Sequence, residues 1–211
     1  MNPTDRQRFS WLIANDISKI ECERLTRYAD WLCDEAAAAG AIGPNEADRI
    51  WDRHLLDSTA FLPLLESVEG TAVVDIGSGA GLPGIGVAIL KPQTEVFLVD
   101  RSANRSQLQH RVIQILGLDN CSPILADVYA DSIPDGIRVF RASLAPLRAL
   151  ELHINRPTPL ASIVALSRAG EGTVSDAMAI NAARADIKLS TRRIGSEILD
   201  SPGWFLIMRS K

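Results

Sequence analysis

The run Val73-Val74-Asp75-Ile76-Gly77-Ser78-Gly79-Ala80-Gly81-Leu82-Pro83-Gly84 constrains this chain more than any other stretch. An apolar segment ends in a carboxylate, passes through three alternate glycines and reaches a proline of the kind favoured in the first turn of a helix. That is the pattern of a βα unit whose turn offers backbone N–H groups to a ligand. Glycine brings no side-chain bulk and tolerates a left-handed backbone, so such a turn can lie close against what it binds.

The flanking sequence says what kind of sheet carries this turn. From Thr4 to about Ser67 the pattern is helical: Trp11, Leu12, Ile17, Ile20, Leu25, Tyr28 and Leu32 recur at helical spacing, and Gly40 is placed to stop the helix. A second helix, with Asn45 as its cap, carries Ile50, Trp51, Leu55 and Leu56 until Pro63 interrupts. From Thr71 strand and helix signals alternate. Strands are expected over 72–76, 96–99, 123–126, 137–140 and 162–166, helices over 83–90, 103–116 and 175–185, and two late strands over 187–191 and 204–208. Strands separated by helices imply a mostly parallel sheet, and the final pair with no helix between them implies an antiparallel hairpin. The expected architecture is α/β, Rossmann-like, with a seven-stranded mostly parallel sheet ending in that hairpin. Residues 1–68 form an N-terminal helical extension and 69–211 the ligand-binding domain.

Bulk properties exclude several classes. With 211 residues and 46% hydrophobic content the chain can bury a substantial core, which sets aside disordered and fibrous proteins. A formal charge of -4 does not suit binding of nucleic acid by bulk charge, yet 18 of the 22 cations are Arg, which leaves room for a local basic face. Cys22, Cys33 and Cys121 form no close pair and have no His at metal-ligand spacing, so no metal site and no disulfide framework is expected. No signal-peptide core and no apolar run near the ~20 residues of a membrane helix is visible, so the expectation is a soluble cytoplasmic protein with no membrane partner, working as a monomer.

In a doubly wound sheet the ligand crevice lies beyond the carboxyl ends of the strands. Asp75 ends the first strand, and Asp100 ends the second, 19 residues beyond Gly81. A carboxylate at Asp100 can accept from both hydroxyls of a ribose. Two ligands fit this arrangement. Gly79-Ala80-Gly81-Leu82-Pro83-Gly84 satisfies the dinucleotide pattern G-x-G-x-x-G, and an NAD-dependent oxidoreductase is one reading. Asp75 favours the other: a carboxylate next to the turn repels pyrophosphate but can serve, directly or through water, the cationic amino-acid moiety of S-adenosyl-L-methionine (AdoMet). Only Tyr28 and Tyr129 exist as tyrosines, and neither stands near a Lys at a spacing useful for hydride chemistry.

Trp51-Asp52-Arg53-His54-Leu55-Leu56-Asp57-Ser58, the turn Val74 to Ile85, Leu98-Val99-Asp100 and Arg105 together resemble the RsmG/GidB family of 16S ribosomal RNA guanine-N7 methyltransferases. The resemblance implies a class I AdoMet-dependent methyltransferase sheet, AdoMet as cofactor, and ribosomal RNA or the small ribosomal subunit as partner. Carried over by position, the family's cofactor pocket falls on Gly77 and Leu82, on Val128 and Tyr129 after the third strand, and on Arg141 after the fourth. Ser78, Gly79 and Gly81 complete the turn, and Asp127 is a candidate acceptor for the adenine amino group. Arg141, at a strand end, is read either as a substrate contact or as an ion-pair partner of Asp75 or Asp127. Arg53, His54, Arg105 and Arg168 are candidates for the RNA side, with His54 read either as an RNA contact or as a hydrogen bond anchoring the extension to the sheet. The chain departs from the family pattern at Asn104, at Asp127-Val128-Tyr129 and at Ser167-Arg168-Ala169-Gly170, which keeps open a methyltransferase with a different substrate. Guanine N7 carries an accessible lone pair, so its methylation requires alignment and no dedicated base. No catalytic residue is assigned on that ground.

Overall fold

The computed structural model describes residues 17–43, 46, 49–68, 72–156, 160–166, 174–194 and 203–210. Trp11, Leu12, Asn45 and Arg168, singled out in the sequence, lie outside the described residues.

The extension begins with helix α1, Lys19–Trp31, continued by a π-helical stretch, Leu32–Ala36. Ser18 caps α1 in both directions: its Oγ accepts from the Glu21 N–H, and the Glu21 carboxylate accepts from the Ser18 N–H. A π-helical turn, Ile50–Leu55, leads into the short helices α2, Leu56–Thr59, and α3, Leu62–Leu65. The sequence suggests one helix there; the structure divides it, with Pro63 inside the first turn of α3.

The sheet comprises β1 (Ala72–Ile76), β2 (Glu95–Asp100), β3 (Cys121–Leu125), β4 (Ile137–Arg141), β5 (Ser162–Leu166), β6 (Ile187–Ile194) and β7 (Gly203–Ser210) in the order 3-2-1-4-5-7-6. The pairs β1–β2, β1–β4, β2–β3 and β4–β5 are parallel, while β7 runs antiparallel to both β5 and β6. Helices α4 (Gly84–Leu90) and α5 (Ala103–Leu116) follow β1 and β2, with α5 stopped by Gly117 at φ +61°. Helix α6, Pro146–Asn155, between β4 and β5 was not anticipated, although Pro146 in its first turn is a helix-start signal. Helix α7, Asp176–Arg184, precedes β6. No helix joins β3 to β4, and Leu125 and Tyr129 stand 57% and 56% exposed at that edge.

Side chains alternate across the sheet with period two, and this decides what each face meets. Val73, Leu98, Val139, Ile163 and Phe205 point to one face, where they share a core with Leu25, Tyr28 and Leu32 of the extension, Ile85 and Ile89 of α4, and Val112 of α5. Val74, Ile76, Val99, Phe140 and Val164 point to the other, packed by Ala149 and Leu150 of α6 and Met178 of α7. The extension is therefore one of the two helical layers of this sheet; each fully buried Leu there contributes roughly 1.5–3 kcal/mol. Among the described residues, no helix is long and apolar enough to cross a membrane.

Beneath α6, His153 is buried, shares a 2.9 Å hydrogen bond with Ser162 Oγ, and lies beside buried Arg138. Burial, and then the Arg138 charge, push its imidazole down from 6.5 to about 4. A depressed histidine favours the neutral form in the folded state. Its contribution to stability is full above pH 6.5 and is lost progressively as pH falls from 6.5 towards 4. Over that window the unfolding midpoint of the natural protein should fall more steeply with acid than that of His153→Asn in parallel denaturant titrations; coincident slopes would remove His153 from the acid response.

Candidate functional site

Because β1 alternates, Asp75 shares the face of Val73 and points towards the extension, while Ile76 points to the opposite face. The Asp75 side chain is fully buried, and its Oδ2 accepts from the Gly84 N–H at 2.8 Å. It thus lies underneath the glycine turn and ties the start of α4 back to β1. Direct contact with a ligand in the crevice, one of the roles expected from the sequence, is not open to a carboxylate in this place. Burial is the main reason its pKa rises to about 7; the Gly84 hydrogen bond and the Arg141 charge oppose the rise, and Asp100 adds to it.

The turn is held from three further sides. Gly77 and Ser78 donate to Val99 O at 2.8 and 3.2 Å, which stitches the turn to the end of β2. Gln109 of α5, wholly buried, donates through Nε2 to Ser78 Oγ at 2.8 Å and to Gly79 O at 2.9 Å. The Tyr28 hydroxyl, from the extension, donates to Ala80 O at 2.9 Å. Burial and then the Asp75 charge push the Tyr28 phenol well above its ordinary pKa, so it stays a donor. Two glycines are required sterically as well as by φ. A Cβ on Gly77 (φ +67°) would lie 2.5 Å from Ser143 Cβ, and one on Gly81 (φ +94°) 2.3 Å from Ile85 Cδ1. Tyr28 and Gln109 were missed in the sequence, since neither sits in a local motif; only the fold brings them to the turn.

Above the turn opens a crevice of about 350 Å³, within the size range of small-molecule sites. It unites Gly77, Asp100, Asp127, Val128 and Tyr129 of the predicted residues and adds Ile76, Val99, Ala126, Ser143 and Leu144 as further lining. The Asp100 carboxylate accepts from Gly79 N–H at 3.0 Å and Ser102 N–H at 2.9 Å and still faces the crevice with acceptor capacity to spare. Asp127 Oδ1 accepts from the Tyr129 N–H at 2.9 Å, which shapes the loop after β3. Asp75, Ser78, Gly79, Gly81, Leu82 and Arg141 do not line this crevice. Ser78 and Leu82 are buried in the turn's support.

Arg141 shares the face of Val139 and so points towards the extension, away from the cofactor side proposed for it from the sequence. Its guanidinium donates to His54 Nδ1 at 2.8 Å and stands 3.7 Å from Asp57 Oδ2, not paired through Asp127. Since Arg can only donate, Nδ1 of His54 is the acceptor, and the ring's proton sits on Nε2, 3.0 Å from Glu46 Oε2. His54 is buried, so it clasps the extension to the sheet and does not present itself to a ligand. Arg105, expected at the crevice mouth, donates to Gly40 O at 2.6 Å and ties the turn after the first helical segment of the extension to α5. Arg53 contributes backbone to the π-helical turn, and its side chain lies outside the described residues. A second, smaller cleft is bounded by Asp57, Phe61, Arg141 and Trp204.

Sheet order, glycine turn and strand-end crevice define a class I methyltransferase fold. A SAM-dependent methyltransferase from Aquifex aeolicus has the same fold, with a TM-score of 0.52 at 17% identity over 79% of this chain and 98% of that one. The family described as GidB, rRNA small subunit methyltransferase G, matches residues 21–166, and the chain belongs to it. A ribosomal RNA small subunit methyltransferase G from Corynebacterium efficiens is 34% identical over 89% of this chain and 82% of its own length. One from Mycobacterium marinum is 45% identical over 46% of this chain and 41% of its own length. Family membership sets aside the NAD-dependent reading.

The buried carboxylate gives a signed pH effect. A raised folded-state pKa means that the Asp75 contribution to stability is full below about 4 and is lost as pH rises towards and through about 7. Asp75→Asn keeps an acceptor for the Gly84 N–H but cannot ionise. The stability difference between variant and natural protein, measured by urea unfolding, should therefore shift in favour of the variant between pH 5 and 8; a pH-independent difference would refute the assignment.

Proposed function

We propose that the crevice holds AdoMet and that the chain directs its methyl to N7 of a guanine in small-subunit ribosomal RNA. The observation that carries the reading is the coincidence, in a chain of this family, of a side-chain-free turn at Gly77 with a carboxylate at Asp100 in one crevice. The residues fit the cofactor. Asp100 can accept from a ribose diol, while Ile76, Ala126, Val128 and Leu144 offer apolar walls to an adenine, with the exposed Tyr129 ring at the rim. Asp127, which lines the same crevice, can accept from the adenine amino group. No phosphate is expected at this turn, because the buried Asp75 carboxylate beneath it disfavours a second anion.

When bound, AdoMet supplies an electrophilic methyl whose bonding electrons stay with the sulfur as the N7 lone pair takes the carbon, so no proton moves. The chain's own task is alignment within ~3–3.5 Å and exclusion of water. Asp75, Gln109 and Tyr28 brace the turn from below for this task. Arg141, at the end of β4, supplies positive charge beside the strand ends. We read the protein further as a cytoplasmic monomer, its extension and sheet acting as one unit against the ribosomal subunit.

Labelled methyl transfer to small subunits isolated from a strain lacking this activity, mapped by chain cleavage at 7-methylguanine, should give one modified guanine. Absence of transfer would sink the ribosomal assignment. Asp100→Ala should weaken S-adenosylhomocysteine binding at least tenfold in calorimetry, about 1.4 kcal/mol; unchanged affinity would remove the carboxylate from the site.

A further inference from the structure

We propose that the groove between the end of the extension and the edge strand β6 is a docking surface for the phosphate backbone of the RNA substrate, gripped by Lys188 and Arg192. The proposal rests on the ribosomal reading above and assigns the RNA to a part of the chain that no local motif marks. Arg105 and His54, the described side chains expected on the RNA side, are engaged within the protein instead.

Charge is the first argument. β6 and β7 carry Lys188, Arg192, Arg193 and Arg209 and no Asp or Glu, in a chain whose net charge is -4. Register and strand parity decide which of these cations act together. Lys188 pairs with Arg209, Ser190 with Ile207 and Arg192 with Phe205. Phe205 and Ile207 belong to the extension face of the sheet, so Lys188, Ser190, Arg192 and Arg209 stand on that face too, and Arg193 on the other. Lys188, Ser190 and Arg192 are exposed. Among the described residues, no carboxylate forms an ion pair with Lys188, Arg192 or Arg209.

Shape is the second. A concavity of about 290 Å³ is lined by Ser67, at the end of the extension, and by Ser190, Arg192, Ile207 and Arg209. Arg209 donates to Ser67 O at 2.9 Å and to Ser67 Oγ at 3.1 Å through one terminal nitrogen, so its charge is fixed in the wall. Its Nε is buried and has no hydrogen-bond partner among the described residues. Lys188 stands opposite this anchored guanidinium, and like charges opposed across a strand pair are destabilising. Charge on an edge strand discourages strand addition, yet that purpose needs no second cation held against the first. An anion in the groove relieves the repulsion.

The donors suit an RNA strand. Lys188, Ser190 and Arg192 are alternate residues of one strand, so their Cα atoms follow each other at about 6.6 Å and span about 13 Å. Ammonium, hydroxyl and guanidinium all donate to phosphate oxygens, and this spacing matches successive phosphates of an extended strand. Among the described residues of β6 and β7 no large hydrophobic is exposed, unlike a face built for a membrane or an apolar protein surface. β6 is the fourth strand from β1, roughly 19 Å across the sheet. The groove therefore holds RNA beyond the reacting base, as a substrate of ribosomal size allows.

The test measures methyl transfer to small subunits and, separately, binding to naked small-subunit RNA over a range of salt. Lys188→Ala combined with Arg192→Ala should raise KM for subunits about tenfold and lower the slope of log affinity against log salt by about 1.4, the loss of two single-strand phosphate contacts. kcat and S-adenosylhomocysteine affinity should stay within twofold. Lys188→Arg with Arg192→Lys keeps both charges and should keep KM and slope near the natural values. Lys19→Ala with Arg111→Ala removes the same net charge from α1 and α5 and should leave the slope unchanged. A natural slope in the Lys188/Arg192 double alanine variant, or an equal loss in the Lys19/Arg111 control, would overturn the groove. A raised KM for subunits with an unchanged slope on naked RNA would assign the surface to a ribosomal protein and overturn the RNA contact. A natural enzyme inert on subunits would overturn the ribosomal reading and this proposal with it.

Discussion

The hydrogen bond from the Gly84 N–H to the buried Asp75 carboxylate is the contact on which the site depends. It closes a nine-residue excursion of the chain and fixes where β1 ends and α4 begins. Burying a carboxylate is costly, and its pKa near 7 records that cost. The position is tolerable because one oxygen has a backbone donor and Arg141 lies close enough to lower the pKa. Had the turn carried side chains, Asp75 could not have reached Gly84: a Cβ on that glycine would already lie 2.8 Å from Asp75 Oδ2. Sequence, turn geometry and electrostatics are thus a single constraint.

That constraint also ties the extension to the sheet. Tyr28 reaches Ala80, His54 reaches Arg141, and both come from the helical layer that covers the Asp75 face. The abundance of Arg has the same explanation in part. Arg24 and Arg27 donate to Gly117 O and Ile115 O at the carboxyl end of α5, and Arg105 donates to Gly40 O. Arg111 pairs with Glu35, and Arg209 holds Ser67 at the end of the extension. Cations at the carboxyl end of a helix meet the negative end of its dipole and its orphan carbonyls. An acidic chain can be rich in Arg because many guanidiniums strap one layer to another.

Local pattern made the architecture legible: the glycine turn, the αL stop at Gly117 and the closing hairpin are each written in a few adjacent residues. Helix α6 was harder because its signal is only ten residues long and lies between two strands. The candidate site divided along the same line. Gly77, Asp100 and residues 127–129 come together because they are all strand-end or turn positions, which the doubly wound topology gathers at one edge. Asp75 and Arg141 stand on the extension side of the sheet, where the Arg141 charge acts on Asp75, for a reason also present in the sequence. Counting by two from Val73 and Val139 puts both on the extension side, so strand parity, more than nearness to the turn, decides what they touch. Tyr28 and Gln109 act over separations of 52 and 31 residues, where local pattern carries no information.

The end of β4 joins the extension to the cofactor crevice. Arg141 looks into the extension and the second cleft, and two residues later Ser143 packs against Gly77 and lines the cofactor crevice. Alignment to a few tenths of an ångström is the main demand when a lone pair attacks without a base. The helical extension, through the hydrogen bond between Arg141 and His54, holds the end of the strand that leads into the Ser143–Leu144 wall of the crevice.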